Sequence, residues 1–197
     1  MWHWMSAILT EADVQLLSVK MSARDPKRTL IRKPLEMFDP QATLTTIAEV
    51  SVALAGFTGV VAVLGSRRDH EWTPEERLQL RTLVETSLTA LFLSFAPSVL
   101  GLVMTSESAV WRLANLLLGA MHLASITKFI ARTKVAKPTG GQLALLASGF
   151  SVILAHFLAA AGLLPWYAAI FILGLLQLVF VATFNFVLLL FPVEARN

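Results

Sequence analysis

No cysteine occurs in the 197 residues. That excludes disulfides, thiolate metal sites and a cysteine nucleophile, and it leaves the redox compartment open. Charge is scarce too: Asp, Glu, Lys and Arg make up 15% of the chain against 56% hydrophobic residues, and the mean hydropathy is +0.68. So few charges cannot clothe a water-facing surface, and the balance excludes an ordinary soluble domain. The chain has no Walker loop, no dinucleotide-binding glycine pattern and no HExxH. After residue 42 no loop is long enough to fold by itself. The N-terminal run "MSAILT" is too short for a cleavable signal peptide and has no basic region ahead of it. The net charge of +3 comes without a basic stripe interleaved with aromatics, so the sequence gives no reason to expect a nucleic-acid partner.

What remains is apolar sequence in long runs. A hydrocarbon core about 30 Å thick takes roughly 20 residues of helix, and five segments qualify, near 43–65, 78–104, 109–131, 142–164 and 166–191. The expected fold is therefore all-α: a polytopic helical bundle over 37–197 with five transmembrane helices, or four if one span is re-entrant or interfacial. In "WTPEE", Thr73 fits an N-cap, Pro74 the first helical position and Glu76 the end of a capping box. Pro97 should kink the second span. "TSES" and "GLLPW" read as tight turns between antiparallel neighbours, with Gly162 a C-cap and Pro165 a helix start, and "KPTGG" reads as a slightly looser turn.

Residues 1–36 stand apart as a basic leader. Without them, Arg67, Arg68, Arg77, Arg81, Lys128, Arg132, Lys134, Lys137 and Arg196 fall on one side of the membrane and Arg112 on the other. The positive-inside rule then sets the N-terminus outside and the C-terminus in the cytoplasm of a cell membrane, here read as a bacterial inner membrane. The leader adds Lys20, Arg24, Lys27, Arg28, Arg32 and Lys33 to the outer side and spoils that asymmetry. Translation from Met37 removes the conflict. The competing reading makes "MWHWM" an interfacial anchor.

Polar residues inside the spans are the candidate functional set. A charge at mid-bilayer costs from about 3 to over 10 kcal/mol, so each is expected to turn toward protein. Glu49, Gly56 and Gly59 follow i, i+7, i+10, which sets the carboxylate on a small-residue stripe expected to pack closely. Arg112, Asn115, Gly119, His122 and Ser125 form a polar stripe on the third span, and Gly149 and His156 a weaker one on the fourth. The fifth span offers Gln177 and Asn185, and the second an Arg81–Glu85 pair at i, i+4. Counting depth at 1.5 Å per residue brings Glu49 and Arg112 to similar levels, so an ion pair supported by Asn115 is the expected answer to a buried carboxylate. A protonated Glu49 and a proton or ion site are the alternatives.

His122 and His156 invite a haem reading. Counted from the loop between their helices, they differ in depth by about 8 Å, which argues against shared iron and for packing histidines that are hydrogen-bonded. No cofactor and no metal is expected. The functional expectation is a small membrane protein that is not an enzyme, a structural or accessory subunit associating with itself or with a larger membrane complex through small-residue helix faces. The second reading is an oligomeric channel or small transporter lined by Glu49, Arg112, His122 and His156.

Overall fold

A computed structural model describes residues 39–67, 72–133 and 138–191. The expectations about residues 1–36 lie outside these, and every helix below belongs to the unit Pro40–Asn197. The helices are α1 (Pro40–Arg67), α2 (Pro74–Ser94), α3 (Ala96–Gly101), α4 (Glu107–Arg132), α5 (Gly140–Ala160) and α6 (Tyr167–Leu190). With α2 and α3 taken together they give five helical stretches long and apolar enough to cross a membrane. Among the described residues there is no strand. The chain is a helical membrane protein.

Local chemistry fixes most of the helix ends. Thr73 accepts a hydrogen bond from the Glu76 amide at 3.2 Å while the Glu76 carboxylate accepts from the Thr73 amide at 2.8 Å, a complete capping box. A second one opens α5, where Thr139 and Gln142 bond reciprocally at 3.2 and 2.9 Å. The "TGG" of that stretch is thus a capped helix start, and the connection before Pro138 lies outside the described residues. At the far end of α5, Gly162 takes φ +83°, the Leu163 amide reaches the Leu158 carbonyl, and the Gly162 amide reaches that of Ala159. This is a Schellman closure, which a side chain at residue 162 would strain. α6 begins two residues beyond Pro165, with Trp166 as its N-cap. The second span breaks at Phe95, between α2 and α3, just before Pro97, because proline supplies no amide to the preceding turn.

Several hydroxyls inside the spans bond backward to their own helix. Ser51 donates to the Ile47 carbonyl at 2.7 Å, Thr58 to Leu54 at 2.8 Å and Thr86 to Thr82 at 2.7 Å, which lets them lie in apolar surroundings. α6, the most apolar helix, is the hub: it packs against α1, α2, α4 and α5. A core of Leu44 and Ile47 from α1, Ala90 from α2, Leu118 from α4, and Phe171 and Leu175 from α6 surrounds it.

Candidate functional site: a polar seam between α4, α5 and α6

Two close contacts set the register of α4 on α5. A Cβ on Gly119 would lie 3.0 Å from the His156 Cβ, and one on Gly149 would lie 3.0 Å from the Ile126 Cδ1. Moving seven residues along α4 thus moves seven residues back along α5. On that register His122 is level with Ile153, only three residues or about 4.5 Å from His156. Side chains lean toward the N-terminus of their own helix, so on antiparallel helices these two lean toward each other. Their rings stack with centroids 5.6 Å apart and planes 26° apart. The 8 Å offset counted from the loop was wrong, because it treated Arg132 and Gly141 as level.

His156 is held on every side. Asn115 donates from Nδ2 to the Trp111 carbonyl at 2.8 Å and to the Tyr167 carbonyl at 2.9 Å, so its Oδ1 is left to accept. The atom 2.8 Å from that oxygen is His156 Nδ1, which must therefore carry the proton and leave Nε2 bare. Nε2 abuts Gly174 of α6, where any Cβ would overlap the ring. One nitrogen is bonded and the other is pressed on backbone, so His156 has no open position for iron. It is a packing histidine joining three helices.

His122 differs. It is 4% exposed, and neither ring nitrogen has a hydrogen-bond partner. The expectation that it would be hydrogen-bonded is corrected. The ring forms part of the wall of a cavity of about 80 Å³ between α2, α4, α5 and α6, which it shares with Thr82, Ser125, Gly149 and Gln177. At roughly 15 Å³ for each water, that volume would take about five. Thr82 Oγ1, also on the wall, is buried and unpartnered. Other polar groups around it are already engaged: Gln142 donates to Asn185 Oδ1 at 2.9 Å, Asn185 to the Val181 carbonyl at 2.8 Å and Gln177 to Ser148 at 2.9 Å.

Beyond the cavity, one turn from Thr82, lies a charge cluster. Arg132 grips Glu85 with two bonds of 2.9 Å, and Arg81 adds a third at 2.9 Å. The sequence showed Arg81 at i, i+4 but gave no sign of Arg132, which arrives from another helix.

The expected Glu49–Arg112 bridge is absent. Arg112 donates from Nε to the Ala160 carbonyl at 2.9 Å, and its guanidinium lies over Gly162, so it caps the negative end of α5. Glu49 is exposed on α1 and has no hydrogen bond or ion pair with any described residue. Gly56 and Gly59 are exposed as well, with nothing within 4 Å of an added Cβ. The stripe that α1 buries runs through Leu44, Ile47, Ser51, Leu54 and Thr58. Glu49 is two residues from Ile47 and Ser51, about 200° around the helix, and so it points away from the bundle.

Comparison with family models, with curated proteins and with solved structures gives no match.

Proposed function

We propose that this five-span protein is a non-enzymatic accessory subunit that associates in the bilayer through the outer face of α1, with a second copy of itself or with a larger membrane complex. The observation that carries this reading is Glu49. It stands nine residues from the start of α1, about 13 Å along the helix, with Val52 exposed at 53% one turn away. A carboxylate left in acyl chains is costly, from about 3 to over 10 kcal/mol at mid-bilayer and less toward the surface, whereas the facing surface of another helix can hydrogen-bond it. Gly56 and Gly59, about two and three turns further and open to the outside, allow that helix a close approach. The channel reading is weaker: Arg112 caps a helix, His156 is locked, and Glu49 and the histidines lie on different faces of the molecule. In this reading the basic loops face the cytoplasm of a bacterial inner membrane.

The absence of native cysteine makes the test clean. Single Gly56→Cys and Ala53→Cys proteins, oxidised in native membranes, should give disulfide-linked dimers, or, in a mixed complex, bifunctional thiol adducts to one defined partner. A cysteine in place of Leu116 on the outside of α4 should not. Glu49→Leu should shift or abolish the product. If neither α1 cysteine forms an adduct above the Leu116 control, the reading fails.

A further inference from the structure

We propose that the cavity beside His122 is a binding site for an uncharged lipid alcohol, whose hydroxyl sits between His122 and Thr82 while its chain leaves through the open side of the cavity. This is independent of α1 and of the oligomeric reading above.

The polar atoms of the wall divide sharply into spent and unspent. Gln142, Asn185 and Gln177 are tied to one another, to Ser148 or to backbone, and Thr86 donates to its own helix. The unspent buried groups are both ring nitrogens of His122 and the hydroxyl of Thr82, on residues 4% and 9% exposed, with the half-buried Ser125, one turn from His122, adding a further hydroxyl that bonds no described residue. Leaving such groups unmatched is costly in an apolar interior, and native interiors rarely do so. No described residue supplies the bond: His156 meets His122 ring face to ring face, and its own bare nitrogen lies against Gly174.

The chemistry of the unspent set selects the ligand. A neutral imidazole has one donor and one acceptor, and a threonine hydroxyl has both. An alcohol oxygen, which also donates and accepts, can satisfy both partners together. Among the described residues no charged side chain lines the cavity; Glu85, one turn from Thr82, is held by Arg132 and Arg81. An anionic or cationic head would therefore meet no counter-charge. The rest of the wall is mainly Ile126, Phe129, Leu145, Leu146 and Leu178, which suits an alkyl or isoprenoid stem. A volume of about 80 Å³ holds the head and the first carbons only, so the remaining chain must lie outside, where the bilayer accommodates it.

The test uses the full chain in phosphatidylcholine nanodiscs with a long-chain alcohol bearing a diazirine next to its hydroxyl. After irradiation, adducts are mapped by peptide mass spectrometry. Adducts should concentrate on the cavity walls of α2, α4 and α5, be displaced by unlabelled alcohol, and fall with the matching methyl ether. His122→Phe keeps an aromatic ring, larger than the imidazole, and removes both nitrogens, so labelling should drop by about twofold to tenfold, the range for one hydrogen bond, and the advantage of the alcohol over its ether, which added bulk alone would leave intact, should shrink with it. Leu146→Trp, which fills the cavity, should abolish it. Melting curves check that both variants fold. Adducts spread evenly over outward residues such as Phe92 and Leu102 would overturn the proposal. So would cavity labelling that is equal for alcohol and ether and unchanged by His122→Phe, since the histidine would then be only packing.

Discussion

Replacing Gly174 by alanine should unlock His156. A Cβ there would occupy the space of the imidazole Nε2 and Cε1 and come within 3.0 Å of Leu118 Cδ2. Either the ring swings away and gives up its 2.8 Å bond to Asn115, or α6 withdraws from α5. Overpacking of this kind costs about 1–3 kcal/mol, and the lost hydrogen bond adds about 1 kcal/mol. The better helix propensity of alanine returns about 1 kcal/mol, for a net loss of about 1–3 kcal/mol. Reversible unfolding in mixed micelles, followed by circular dichroism, measures it. The decisive comparison is a double-mutant cycle with His156→Ala. With the ring gone the alanine methyl has room, so Gly174→Ala should become neutral or stabilising by up to about 1 kcal/mol, a coupling of about 1–4 kcal/mol. The unpaired Asn115 oxygen is common to the two proteins that lack His156 and cancels between them. Gly101→Ala, at the exposed end of α3 with open space around an added Cβ, is the control and should cost nothing. An equal cost of Gly174→Ala with and without His156 would refute the locked-imidazole account.

Nitrogen NMR of labelled histidine should show His156 protonated at Nδ1 and bare at Nε2, and Asn115→Leu should erase that preference; an Nε2–H form in the wild type would contradict the network. Arg132→Ala should cost about 1–2 kcal/mol, because a two-bond grip on a carboxylate is stronger and less screened than a single one. Arg81→Ala, at a side chain 65% exposed against 21% for Arg132, should cost under about 0.5 kcal/mol, and the two are compared in the same unfolding assay at low and high salt. Thr139→Ala should lower stability by about 1 kcal/mol through loss of the α5 cap, with Thr139→Ser restoring most of it.

The polar seam shows where reading the letters reached and where it stopped. Spacing alone put Asn115, Gly119 and His122 on one face of α4, and the structure buries all three. It could not pair that face with His156, because the register between helices depends on which side chains interdigitate, not on distances counted from a loop. Gly174 passed as one more residue of an apolar run; its role exists only because an imidazole from α5 lies against it. Arg132 was assigned to the flank of a loop and turns out to hold Glu85. Glu49 failed differently. The glycines beside it imitate an inward stripe, and helical periodicity offers two stripes on α1 without ranking them. The stripe of Leu44, Ile47 and Leu54 buries far more apolar surface against α2 and α6, so packing chose that one and turned the glycines and the carboxylate outward.

Composition and run length by themselves determined that lipid is the solvent and that five helices are long enough to cross it, since a medium without water leaves the backbone no other partners; local motifs fixed the Thr73 cap, the Gly162 closure and the break before Pro97. The tertiary structure decided which polar atoms find each other, because partners on different helices are selected by three-dimensional packing and leave no periodic trace along the chain. It also decided which polar atoms stay unmatched: Glu49 on the outer face and His122 at the cavity wall.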